Sequence, residues 1–151
     1  MKLEELQVYQ LSMEIGEKVW EIVISWDYFG KPAFRQGRDT IGKQLVRSAD
    51  SVAANISEGF GRYHYKDSKN FNYYSRGSLY ETKTWLTKAY NRKMIQEDEY
   101  QTLIGVINNL GVKLNNYIKS IGKKWNNNKW PSNDARRAND YQITLKEQMT
   151  K

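Results

Sequence analysis

Pro32 and Pro131 are the only prolines in the chain. Proline removes a backbone donor and clashes with the preceding turn, so a long stretch without it leaves helices free to propagate. Helix-favouring residues fill the interval between the two prolines and turn clusters are few. The expected fold class is therefore all-α. Four segments carry a helical period. The first covers about residues 3–26, where Leu6, Tyr9, Met13, Gly16, Trp20 and Val23 recur at gaps of three and four and mark one apolar face. Asp27 and the Phe29-Gly30-Lys31-Pro32 stretch end it. The second starts at Asp39 or Thr40, either of which suits an N-cap, and runs through Ile41, Leu45, Ala49, Val52 and Ile56 to about Gly61. Its centre is dense in small residues (Ser48, Ala49, Ser51, Ala53, Ala54, Ser57), which lets a neighbouring helix approach closely.

The third segment covers roughly residues 66–92, starting at Asp67 or Ser68. Phe71, Tyr74, Ser78 and Trp85 form one row, and Ser75, Leu79, Thr82, Leu86 and Ala89 a parallel one. The fourth starts near Gln96 or Glu97 and has the cleanest pattern: Tyr100, Leu103, Ile107, Leu110, Leu114, Tyr117 and Ile121 keep a three-four spacing throughout. Four such helices on short links imply an antiparallel up-down-up-down four-helix bundle over residues 1–123. The first link, about residues 27–38, is the longest and is expected to cross one end of the bundle. From residue 124 to 151 the pattern stops. Asn126, Asn127, Asn128, Pro131, Ser132, Asn133 and Asp134 read as a linker, and the basic tail as a whole is expected to be partly disordered, with at most a short helix over Ala135 to Met149.

Charge narrows the function classes. The net charge is +7, and it is unevenly spread. Residues 1–42 carry five basic and seven acidic side chains, residues 43–93 ten and four, residues 94–123 three of each, and the tail six and three. A middle section this positive, interleaved with Tyr63, Tyr65, Tyr73 and Tyr80, suits a polyanion. Lys69, Arg76 and Lys83 are spaced to line one helix face, Arg62 and Lys66 flank its start, and Lys88, Arg92 and Lys93 extend the set. Phosphate contacts from such a row, with occasional base stacking, give salt-dependent and weakly sequence-specific binding. A solvated face with tyrosines packed against other subunits is the alternative. Cysteine is absent, which excludes disulfide scaffolds and thiolate metal sites. No apolar run reaches membrane-spanning length, and the first residues lack a signal-peptide layout, so a cytoplasmic location without a membrane partner is expected.

Catalytic constellations are weak. On the second helix Arg47, Asn55 and Glu58, with Glu81 on the third, are expected to form a structural polar network that fixes helix register or a subunit interface. A paired-carboxylate acid/base site is the competing reading, but no nucleophile or metal set accompanies it. His64 is the only histidine and falls in a turn, and the Glu-x-x-His pairs of a di-iron bundle are missing. Gly59-Phe60-Gly61-Arg62 follows a helix rather than a strand, so it reads as a helix C-cap and not a phosphate loop. No enzyme activity, metal or cofactor is expected.

The run Gln44-Leu45-Val46-Arg47-Ser48-Ala49-Asp50-Ser51-Val52-Ala53-Ala54-Asn55-Ile56-Ser57-Glu58-Gly59, followed by Gly77-Ser78-Leu79-Tyr80-Glu81, is specific. With the opening Leu6, Val8 and Tyr9, it resembles the four-helix-bundle family of 23S rRNA intervening-sequence proteins, which includes the accessory variability protein of diversity-generating retroelements. The resemblance covers about residues 3–122. It implies a bundle that assembles as a homopentameric barrel with a positive surface, and in the retroelement branch a nucleic-acid-binding partner of a reverse transcriptase. Two readings stand side by side. One is a non-enzymatic oligomeric accessory binding RNA or a DNA–RNA hybrid, alongside a retroelement reverse transcriptase or in an RNA-containing complex. The other is a structural or protein-interaction oligomer with no nucleic-acid ligand, in which Trp26, Phe29, Phe34 and Trp85 serve subunit contacts.

Overall fold

The computed structural model describes residues 2–122, and all regular structure in that span is helical. The expectations for the tail, 124–151, fall outside the described residues. Four long helices, α1 (Gln7–Ser25), α3 (Lys43–Phe60), α4 (Tyr65–Asn91) and α5 (Glu97–Ser120), are joined by turns and by one short helix, α2 (Pro32–Gly37). Each long helix packs on two others: α3 on α1 and α4, and α5 on α4 and α1, closing a four-helix bundle with α1 and α4 at opposite corners. Leu45, Ile56, Leu86, Leu110 and Leu114 are fully buried along its axis. Each such side chain contributes about 1.5–3 kcal/mol when removed from water.

The first helix buries only part of the expected stripe: Leu6, Gly16 and Val23 are buried, but the core face is centred on a neighbouring row. Val8, Ser12, Ile15, Val19 and Ile22 point into the bundle, and Trp26, 1% exposed, continues that face. Met13 and Trp20, on the expected apolar stripe, are 43% and 51% exposed. The physical reason is that α1 carries two overlapping stripes, because Val8, Ile15 and Ile22 also recur every seven residues. Ser12 disguises the deeper stripe; its hydroxyl is satisfied by the Tyr9 carbonyl at 2.7 Å, so it buries without penalty.

The connection expected over 27–38 is the longest between the long helices, running from Trp26 to Gly42, and it is itself largely helical. A 3₁₀ turn (Trp26–Phe29) ends at Gly30, whose φ of +61° is the left-handed geometry that favours glycine. Pro32 then opens α2, where a missing N–H costs nothing. From there the chain stays helical through a π-helical turn (Arg38–Gly42) into α3. Asp39 and Thr40, expected as caps, therefore lie inside a helical run. Asp39 accepts from Arg38 at 2.9 Å, and Thr40 donates to the Gln36 carbonyl at 2.8 Å. Arg38 also pairs with Asp27, clasping the end of α1 to the π-helical turn.

The α3–α4 interface is where the small residues do their work. Ser75 donates to the Val52 carbonyl at 2.8 Å, and Thr82 to Ser48 at 3.1 Å, all inside the interface. A Cβ on Gly59 would stand 2.9 Å from the Ser68 carbonyl oxygen, so this position admits only glycine. Gly61, expected in a C-cap, does end α3, with an ordinary right-handed φ of −75°. The left-handed cap is instead at Lys93 (φ 59°), after α4. There Lys93 donates to Tyr90 and Met94 to Ala89, the paired bonds of a Schellman motif. The acidic first turn of α5 (Glu97, Asp98, Glu99) suits the positive end of the helix dipole.

Candidate nucleic-acid interface

The side chains that α4 turns towards α5 decide what this surface can bind. Arg76 donates to the Asn115 side-chain oxygen at 3.1 Å, and Lys83 to that of Asn108 at 2.8 Å. The two cations are seven residues apart on α4 and the two amides seven apart on α5, so they form matched rungs about 10 Å apart along the seam. Lys69 is one heptad before Arg76 on the same face. None of the three is ion-paired in the described residues. Their partners are neutral, and from Tyr100 to Ser120 the facing helix has no acidic residue. The positive charge on this seam is left uncompensated and half-exposed.

Aromatic rings border the row. The Arg76 guanidinium lies 4.9 Å from the centre of the Tyr73 ring, and the exposed Tyr80 sits between Arg76 and Lys83. Between the asparagine rungs, Leu79, Tyr80, Ile107, Gly111 and Val112 line a groove of about 270 Å³. A guanidinium stacked on a ring holds its donors outward in a fixed plane. Asn108, Asn115 and Val112 are the contributors that sequence reasoning missed. Their signal was a spacing of seven that mirrors Arg76 and Lys83.

The remaining basic candidates are scattered. Arg62 pairs with Glu58 and stacks over Phe71 at 4.6 Å, so its charge is offset at the end of α3. Lys66 is exposed at the start of α4. Lys88 lies over Trp85, 5.1 Å from the ring centre, on the opposite flank of α4. Arg92 and Lys93 are exposed in the turn before α5. The structure thus brings Lys69, Arg76 and Lys83 into one row and leaves the other five outside it.

Of the expected polar network, Arg47 and Glu81 are brought together as an ion pair across α3 and α4. Gln44 accepts from Arg47 at 3.0 Å, and the Trp85 indole N–H donates to Glu81 at 3.2 Å. Asn55 instead donates to the Ser51 carbonyl of its own helix at 2.8 Å, and Glu58 is bound to Arg62. The four residues therefore make three separate arrangements. His64 is exposed in the turn before α4, edge-on to Tyr63 at 4.8 Å. Among the described residues no group of three acidic, histidine or cysteine side chains is placed to hold a metal. No helix there is long and apolar enough to cross a membrane.

Trp26, expected at a subunit contact, is a core residue instead: α1 turns it inward beneath Gly42, where a Cβ would come within 3.3 Å of its ring. Phe34 and Trp85 are half-buried against the core, and the Phe29 side chain lies outside the described residues. The apolar side chains that do stay exposed on α1 are Met13, Trp20 and Ile24.

A four-helix bundle with one uncompensated basic seam and an Arg47–Glu81 pair locking α3 to α4 defines the class of protein. The sequence pattern described as 23S rRNA-intervening sequence protein matches residues 4–116, and the chain belongs to that family. It is also similar in structure to a protein of unknown function from the S23 ribosomal protein family of Bacteroides thetaiotaomicron. The TM-score is 0.62 at 23% identity, over 75% of this chain and 99% of that one, a likeness of fold. No curated protein matches the chain.

Proposed function

We propose that this protein is a non-catalytic, oligomeric accessory that binds nucleic acid through the α4–α5 seam. The observation that carries the reading is the row Lys69, Arg76 and Lys83, the last two held by neutral asparagines, bordered by Tyr73 and Tyr80, and facing a helix with no acidic residue beyond its first turn. Cations on neutral partners keep their charge for an incoming phosphate, and the rings offer stacking to any base. The ligand is structured RNA or a DNA–RNA hybrid, and the setting is a cytoplasmic RNA-containing complex or a retroelement reverse transcriptase. The bundle is antiparallel, up-down-up-down. In support, partners descend on α4 as they ascend on α3 (Ser48 with Thr82, Val52 with Ser75), and likewise from α4 to α5 (Arg76 with Asn115, Lys83 with Asn108). The family resemblance supports assembly as a homopentamer.

Filter binding at about 50 mM salt with structured RNA and with a DNA–RNA hybrid tests the reading. Measurable affinity that falls steeply with salt is the expected result; no affinity for either ligand sinks it. The exposed apolar residues of α1 favour a second reading, an assembly protein without a nucleic-acid ligand. Light scattering that gives an oligomer, together with a negative binding assay, selects it.

A further inference from the structure

α1 has two apolar faces, and the bundle uses one. On the other, Met13, Trp20 and Ile24 are 43%, 51% and 38% exposed. Trp20 and Ile24 continue across the α1–α3 seam into a groove of about 450 Å³ with Val23, Gly42 and Val46 among its lining and Asp27, Arg38, Asp39, Lys43 and Arg47 around it. Further along the seam, Gly16 and Ala53 line a second depression of about 330 Å³ with Glu17 and Asp50 on its wall. A helix apolar on two faces needs two partners, and the described residues of the chain supply only the first.

The diagonal corner offers a matching surface. On the outward face of α4, Tyr74 and Tyr80 are about 60% exposed, and Gly77 lies between them. A Cβ on Gly77 would meet nothing within 4 Å, so no close contact inside the protomer accounts for a glycine at mid-helix. That glycine costs about 1 kcal/mol of helix stability relative to alanine. It opens a gap between two tyrosines wide enough for a large side chain to approach the backbone.

Charge decides which surfaces meet. On α1 Glu14 is paired with Lys18, which leaves Glu17 and Glu21, whereas α4 carries five cations against Asp67 and Glu81, the latter already held by Arg47. Two α1 faces placed together would bring two acidic helices together. An α1 face against an α4 face sets acid against base.

We propose that the exposed α1 face of one copy docks on the outward α4 face of a second copy, head to tail, with Trp20 seated over Gly77. This rests on the oligomer reading above and names its interface. A head-to-tail contact of two different patches repeats from copy to copy, closing into a ring when the rotation allows. Arg76 and Lys83 lie on the α5 flank of α4, at the rim of this contact, and with Tyr73 stay available to a nucleic acid, while Tyr80 is given over to the contact.

The chain has no cysteine, which makes the test direct. Met13→Cys and Gly77→Cys are made as separate single variants and treated with a short bismaleimide, alone and mixed. The expected result is a cross-linked dimer from the mixture and none from Met13→Cys alone. A dimer from Met13→Cys alone means that α1 meets α1, and overturns the proposal. Trp20→Glu, whose folding is checked by circular dichroism, is expected to fall to a monomer in light scattering. A wild-type monomer overturns both the oligomer reading and this interface. A wild-type oligomer that Trp20→Glu leaves intact, with no cross-link in the mixture, overturns the interface alone.

Discussion

Thr82 donates a hydrogen bond to Ser48 across 3.1 Å, and both residues are fully buried between α3 and α4. Thr82 shares its one hydroxyl proton between Ser48 and the Ser78 carbonyl at 2.8 Å, and Ser48 donates to the Leu45 carbonyl of its own helix at 3.1 Å. The two helices can approach this closely because neither side chain needs more room than a hydroxyl. Ser48→Ala leaves that spacing intact and is expected to cost under about 1 kcal/mol. Ser48→Leu forces the helices apart and is expected to cost about 1–3 kcal/mol or more. Chemical denaturation of both variants checks the pair, and equal midpoints would contradict it.

Gly59 and Gly77 make opposite predictions for the same substitution. An added methyl at Gly59 meets the Asn72 side-chain nitrogen at 2.7 Å and a backbone oxygen at 2.9 Å, so Gly59→Ala is expected to destabilise by about 1–3 kcal/mol. At Gly77 it meets nothing inside the protomer, and at dilutions where copies are apart Gly77→Ala is expected to stabilise the bundle by about 1 kcal/mol through helix propensity. Thermal melts of the two, at one concentration, read the contrast.

Asp50 should give a pH signature. Burial beside Gly16, and then the charge of Glu17, push its carboxyl above the ordinary value of 3.8. An acid raised in the folded state is penalised when ionised, so Asp50→Asn is expected to stabilise the protein at neutral pH. That gain should shrink as pH falls through the raised folded value and vanish below the unfolded one, where both states are protonated. Melting curves of wild type and variant across this range test the sign; a gain that persists in acid would rule out the cause.

Arg76→Ala with Lys83→Ala removes two cations whose polar partners among the described residues are Asn115 and Asn108. Stability should change little. Affinity for structured RNA should fall, and the dependence of log affinity on log salt should flatten by about one per removed phosphate contact. Titrations at several salt concentrations provide the slope, and an unchanged slope would place the ligand elsewhere.

Lys93 holds a left-handed backbone at the end of α4 that glycine adopts more easily. Lys93→Gly is expected to raise stability by about 1 kcal/mol. Differential scanning calorimetry measures it directly.

Much of the fold was legible because three helices show a single dominant face. Leu103, Ile107, Leu110 and Leu114 on α5, and Leu45, Ala49, Val52 and Ile56 on α3, are buried as their spacing requires. The row Leu79, Thr82, Leu86 and Ala89 on α4 is buried too, while Tyr74, counted with the apolar face, is 59% exposed. The basic row was legible for the same reason, since a spacing of seven is enough to align Lys69, Arg76 and Lys83. Its asparagine partners were not, because they belong to a helix whose register against α4 no local pattern encodes.

The sequence by itself determined where helices run, that their long faces are apolar, and that positive charge gathers in the second half of the bundle. These follow from local propensity and periodicity, which each segment carries alone. Tertiary structure decided that α1 is centred on Val8, Ile15 and Ile22, which leaves Met13 and Trp20 of the other stripe at the surface while Leu6, Gly16 and Val23 are buried. Both stripes satisfy the helical period, and only the packing of α3 and α5 against Val8, Ile15 and Ile22 breaks the tie. It also decided that Arg47 finds Glu81 while Glu58 finds Arg62, and that Trp26 is core while Trp20 is not. Those outcomes depend on how helices distant in sequence sit against each other, and that is fixed by the close contacts at Gly59, Ser48 and Thr82.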